Sequence, residues 1–104
     1  MKIVKVTYTT RPDYSEQNQH HIQNLLADLK KANHPGIHYL ACLSPDHKTF
    51  IHTGFFKSDE DQKFLNELPS FRFFQEQLKS SGPEVPPKQE VLTLIGSYPD
   101  IFNA

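Results

Sequence analysis

The 104 residues predict one α+β domain, a ferredoxin-like β-α-β-β-α-β sandwich built on an antiparallel sheet. Three observations carry that expectation. Apolar periodicity switches between the strand and helix repeats in the order strand, helix, strand, strand, helix, strand. The two middle strands are separated only by Pro45-Asp46-His47-Lys48, a polar turn of hairpin length. The segments also consume nearly the whole chain, so the domain is expected to span 1–98, with 99–104 as a C-terminal tail.

Each element has its own justification. Residues 2–10 alternate, with Val4, Val6 and Tyr8 on one face and Lys5, Thr7 and Thr9 on the other. Pro12 ends this strand. Asp13 followed by Glu16 resembles a capping box opening a helix over 13–32, whose Ile22, Leu25, Leu26 and Leu29 recur at helical spacing and whose Lys30 and Lys31 suit a C-terminus. Asn33-His34-Pro35-Gly36 reads as a turn into a second strand, 37–44, and the hairpin returns over 49–57.

Ser58 with Asp61 three residues on starts the next helix, with Phe64, Leu65 and Leu68 on its core face. Pro69 interrupts it. Ser70 can cap a new turn, so Phe71, Phe74 and Leu78 are expected to line an offset helix that stops before Gly82. The three prolines in 82–88 predict an extended connection, followed by a last strand over 90–98.

A turn symmetrical about Asp46 and His47 pairs Ser44 with Thr49, and counting outward sorts the hairpin into two faces. One carries Ile37, Tyr39, Ala41 and Leu43 beside Phe50, His52, Gly54 and Phe56. The other carries His38, Leu40 and Cys42 beside Ile51, Thr53 and Phe55. Both are largely apolar, yet helices cover only one face of a four-stranded sheet, so a second copy of the sheet is the expected cover. The expected homodimer would enclose a space on the Tyr39 and His52 face, where Ala41 and Gly54 leave room, and a ligand cavity is expected either there between the two sheets or between sheet and helices.

Bulk composition excludes several classes. Eleven basic against twelve acidic residues give a net charge of -1, which provides no field for nucleic acid. Cys42 is the only cysteine, so an internal disulfide and a cysteine-rich zinc site are out. The start MKIVKVTYT reads as a strand rather than a signal peptide, and no apolar run reaches membrane-spanning length, so a cytoplasmic, membrane-free protein is expected.

The strand ending Thr9-Thr10-Arg11-Pro12-Asp13, the His34-Pro35-Gly36 lead-in, the run Phe56-Lys57-Ser58-Asp59-Glu60 and Pro69-Ser70-Phe71 together resemble the dimeric α/β-barrel superfamily. In particular, the chain is similar to the antibiotic-biosynthesis-monooxygenase-like domains over nearly its whole length. The resemblance implies a dimeric barrel and, among its enzymes, cofactor-independent oxygenation of polycyclic phenols or haem degradation, served by a tryptophan, an asparagine and a histidine. This chain departs from that set. It has no tryptophan, Phe56 stands where the family commonly places one, Phe64-Leu65-Asn66 offers no imidazole, and the first strand has no asparagine.

His52 is the candidate catalytic base, and Tyr39, Phe50, His52 and Phe56 are the expected wall of a cavity for a small apolar or aromatic ligand. The alternative role for His52 is an imidazole hydrogen-bonded inside an interface. His20 and His21 are adjacent and diverge by about 100° on a helix, so they cannot chelate one ion. The six histidines show no ligand spacing, and neither metal nor cofactor is expected. Cys42 is expected to pack as a small apolar group among Leu40, Ile51 and Phe55. Three functions stay open: a monooxygenase-like enzyme, a non-catalytic ligand-binding module, and a structural dimerisation domain.

Overall fold

The computed structural model describes residues 1–102. Strand β1 (Lys2–Thr9) leads through a 3-10 turn, Pro12–Tyr14, into helix α1 (Ser15–Ala32). The hairpin of β2 (Ile37–Leu43) and β3 (Thr49–Phe56) follows, then α2 (Asp59–Glu67), α3 (Pro69–Ser81) and β4 (Val85–Leu92). The four strands form one antiparallel sheet in the order β2-β3-β1-β4. This is the expected ferredoxin-like α+β arrangement, with the second helix broken in two at Pro69. Leu68 is extended at the break, and Pro69 supplies the first residue of α3, where its missing N–H costs nothing.

The hairpin register agrees with the count from its turn, because Ser44 N–H donates to the Thr49 carbonyl and Ala41 lies opposite His52. Asp46 holds the turn: its carboxylate accepts from the Lys48 and Thr49 amides and the Thr49 hydroxyl. Those bonds, the hydroxyl's first, lower the Asp46 carboxyl to about 2.

Three local expectations need correction. The last strand is Val85–Leu92, not 90–98, so Pro86 and Pro87 lie inside it. That is tolerable because β4 is an edge strand and its pairing with β1 shifts between Thr7 and Thr9, leaving the prolines out of the regular ladder. The capping box at Asp13 and Glu16 does not form; Asp13 instead pairs with Arg11 at 2.7 Å, and the Ser15 hydroxyl donates to the His47 carbonyl at 2.6 Å. Ser70 does not cap α3; its hydroxyl is buried without a partner among the described residues.

The box at Ser58 and Asp61 does form, and it does more than start α2. One Asp61 carboxylate oxygen accepts from the Ser58 amide and hydroxyl, while the other meets His34 Nε2 at 2.6 Å. The His34 ring stacks flat on Phe64 at 4.5 Å between centroids, and a Cβ built on Gly36 would fall on the Asp61 carboxylate. The His34-Pro35-Gly36 turn is thereby clamped to the corner between β3 and α2.

The largest correction concerns the two sheet faces. Phe50, His52 and Phe56 are buried beneath the helices, in a core with Val4, Tyr8, Ile22, Leu25, Leu65, Phe71, Phe74 and Leu78. Their face is therefore the helix-covered one, and the face bearing His38, Leu40, Cys42, Ile51, Thr53 and Phe55 is open. Cys42 is exposed there rather than packed. The tail reaches back to this side, where Phe102 lies 6.3 Å from the His38 ring.

Candidate functional site

His52 sits on a central strand with a tyrosine on each flank. Its register partners are Ala41 on β2 and Val6 on β1, both short enough to let diagonal neighbours reach across. Tyr39, diagonal on β2, brings its hydroxyl 2.6 Å from His52 Nδ1; Tyr8, diagonal on β1, brings its own 2.7 Å from Nε2. From the first turns of α1, Asn18 donates Nδ2–H to the Tyr8 hydroxyl at 2.8 Å. The result is a continuous chain, Asn18 to Tyr8 to His52 to Tyr39, running from the helix into the sheet.

Donor counting assigns the protons along it. Tyr8 accepts from Asn18, so its own O–H serves His52 Nε2; the neutral ring then carries its proton on Nδ1 and donates it to the Tyr39 oxygen. Tyr39 is left with an O–H free to donate onward. Burial sets the electrostatics: His52 is 3% exposed and its pKa falls to about 4, while both Tyr8 and Tyr39 are pushed well above the ordinary phenol range. At neutral pH all four groups are uncharged. Asn18 is fully buried, and its Oδ1 has no partner among the described residues.

The chain opens onto a cavity of about 400 Å³ between the sheet and α3. Val6, Tyr8, Tyr39 and His52 form its floor, Phe71, Phe74 and Leu78 its roof, and Lys79 with three prolines its solvent side. A smaller space of about 90 Å³ continues toward Gly54 and Phe56. The room next to Gly54 is taken up largely by the Phe56 ring, whose edge would lie 2.8 Å from an added Cβ. Tyr39 also borders a third space, of about 330 Å³, against the last turns of α1. Its ring thus stands as a wall between two cavities.

Of the expected wall residues, Tyr39 and His52 face the large cavity and Phe56 the small one. Phe50 lies behind them, stacked on Tyr8 at 5.4 Å and 2% exposed. Sequence reasoning missed Tyr8 and Asn18. Asn18 had left a signal, since it falls four residues before Ile22 on the buried stripe of α1 and puts an amide where an apolar side chain is expected.

A buried histidine held by two tyrosine hydroxyls thus lies beside a largely apolar cavity on a four-stranded ferredoxin-like α+β sheet. Solved structures share its architecture. A protein of Nitrosomonas europaea, provisionally assigned as an antibiotic biosynthesis monooxygenase, is 15% identical, with 92% of this chain and 100% of that one covered at a TM-score of 0.77. Rv0793 from Mycobacterium tuberculosis is 14% identical over 92% of this chain and 96% of its own, also at 0.77. SnoaB, a cofactor-independent oxygenase from Streptomyces nogalater, is 12% identical over 95% and 98%, at 0.69. No family model matches the chain, and no curated protein matches it. The chain has the fold of the antibiotic-biosynthesis-monooxygenase-like domains. No helix among the described residues is long and apolar enough to cross a membrane.

Proposed function

We propose that this chain is a homodimeric, cytoplasmic α/β-barrel protein that takes a small planar phenolic molecule into the cavity between sheet and α3 and oxidises it with dioxygen, without a cofactor. One observation carries the reading: the hydrogen-bonded chain from Asn18 to Tyr39 ends in a free hydroxyl at the floor of an apolar cavity. Aromatic side chains roof the space for a flat ring, and Tyr39 with His52 gives the ligand oxygen a place to exchange a proton. The overall balance is phenol plus dioxygen giving quinone plus water; the phenolic proton reaches His52 through Tyr39 in the inverted tautomer, with Nδ1 accepting from Tyr39 and Nε2–H donating to the Tyr8 oxygen. The open sheet face, where Leu40 and Leu92 are 45% and 41% exposed, is the surface for the second copy.

A second reading, non-catalytic binding, is favoured by the depressed pKa of His52, which makes the free protein's imidazole a weak base. Oxygen uptake on a panel of naphthols and dihydroxynaphthalenes separates the two. Catalysis predicts turnover that falls at least about 100-fold in His52→Ala, the scale of a lost general base. Binding without uptake leaves the second reading standing, and turnover that survives the substitution removes His52 from the mechanism. Light scattering at micromolar concentration should give twice the chain mass; a monomer overturns the dimer.

A further inference from the structure

We propose that the ligand of this cavity is a hydroxyaryl carboxylate, its hydroxyl directed to Tyr39 and its carboxylate held by Lys79 on the solvent side. The inference rests on the reading of the cavity as an aromatic site and specifies which aromatics it takes. Among the described residues, Lys79 is the only charged side chain that lines the cavity, and no carboxylate lines it. It lies in the last turn of α3, four residues after Gln75, so the two present an ammonium and an amide on the same flank of the space.

Among the described residues, Lys79 makes no ion pair. The acidic residue nearest it in sequence on the β4 side, Glu84, is engaged elsewhere, 2.7 Å from Lys48. Glu76, three residues earlier on α3, is exposed and forms no bridge to it. The rest of the rim is Pro83, Pro86 and Pro87, which present ring surface and no N–H, so nothing there competes for an anion. The inner end is uncharged and offers the hydroxyl of Tyr39. A molecule that satisfies both ends has an oxygen acceptor at one edge of an aromatic system and an anion at the other. A hydroxylated aryl acid has that shape, and a neutral polycyclic phenol satisfies only the inner end.

The test compares 2-naphthol with 6-hydroxy-2-naphthoate, which differ by the carboxylate, as fluorescent ligands titrated into the full chain near neutral pH. Lys79→Ala should weaken the naphthoate by about five- to tenfold, the scale of a partly exposed charge pair, and leave 2-naphthol within about twofold. Lys79→Arg should restore most of the naphthoate affinity, and added salt should weaken the naphthoate selectively. Equal effects on both ligands, or none on the naphthoate, overturn the inference while leaving the aromatic site intact. If wild-type protein binds neither ligand, the aromatic-site reading and this inference fall together.

Discussion

The protein should gain about 3 kcal/mol of unfolding stability between pH 4 and pH 6.5, and His52→Gln should remove most of that rise. The cause is the buried imidazole. Its pKa falls from an ordinary 6.5 to about 4 because burial penalises the charged form. A histidine whose folded pKa is depressed leaves the unfolded chain binding more protons throughout this window, so stability is complete above 6.5 and drains away as the pH falls toward 4. His21 is lowered too, by burial and then by His20, and contributes in the same direction. The difference between wild type and His52→Gln isolates the share of His52. Asp46 and Asp61 act elsewhere: both are held below the ordinary 3.8, so their stabilisation is lost only at still lower pH. Urea titrations across the range measure the slope; parallel curves for the two proteins would refute the assignment.

Tyr8→Phe should cost about 2–4 kcal/mol, and Tyr39→Phe about 1 kcal/mol or less, though each removes one hydroxyl from the same imidazole. The asymmetry follows from what each loss strands. Tyr8 is 1% exposed and serves two buried partners, Asn18 Nδ2 and His52 Nε2, and without its oxygen both are left in the core with nothing to bond. Asn18 already carries an unpaired Oδ1, so the substitution would leave its whole amide unsatisfied. Tyr39 is only half-buried and borders open space, where water can take over the bond to Nδ1. Chemical denaturation near neutral pH ranks the two variants. A Tyr39 variant as unstable as the Tyr8 variant would contradict the arrangement of the chain.

How much of this was legible beforehand depended on sequence distance. The hairpin register could be counted because its turn is four residues long and its pairs are local. The buried face could not, since a strand apolar on both sides satisfies either orientation, and only the packing of Ile22, Leu25, Phe71 and Phe74 against Phe50 decides between them. Tyr39 and His52 are legible together because they share the hairpin; Tyr8 is not, because the pairing of β1 with β3 joins residues forty or more positions apart and leaves no local mark. The extent of β4 is hidden in the sequence for a chemical reason. Proline normally ends a strand, and nothing local in Pro86-Pro87 announces an edge position beside an irregular register where it is allowed.

Those same prolines constrain how copies of the chain can meet. An edge strand ordinarily exposes a row of amides that can recruit a foreign strand and propagate a ribbon without end. β4 lacks an amide donor at two successive residues, just where its ladder is already irregular, so this border is a poor template for lengthening the sheet. The proposed second copy would therefore not meet this chain along β4; on the flat of the sheet two copies can close on each other and stop.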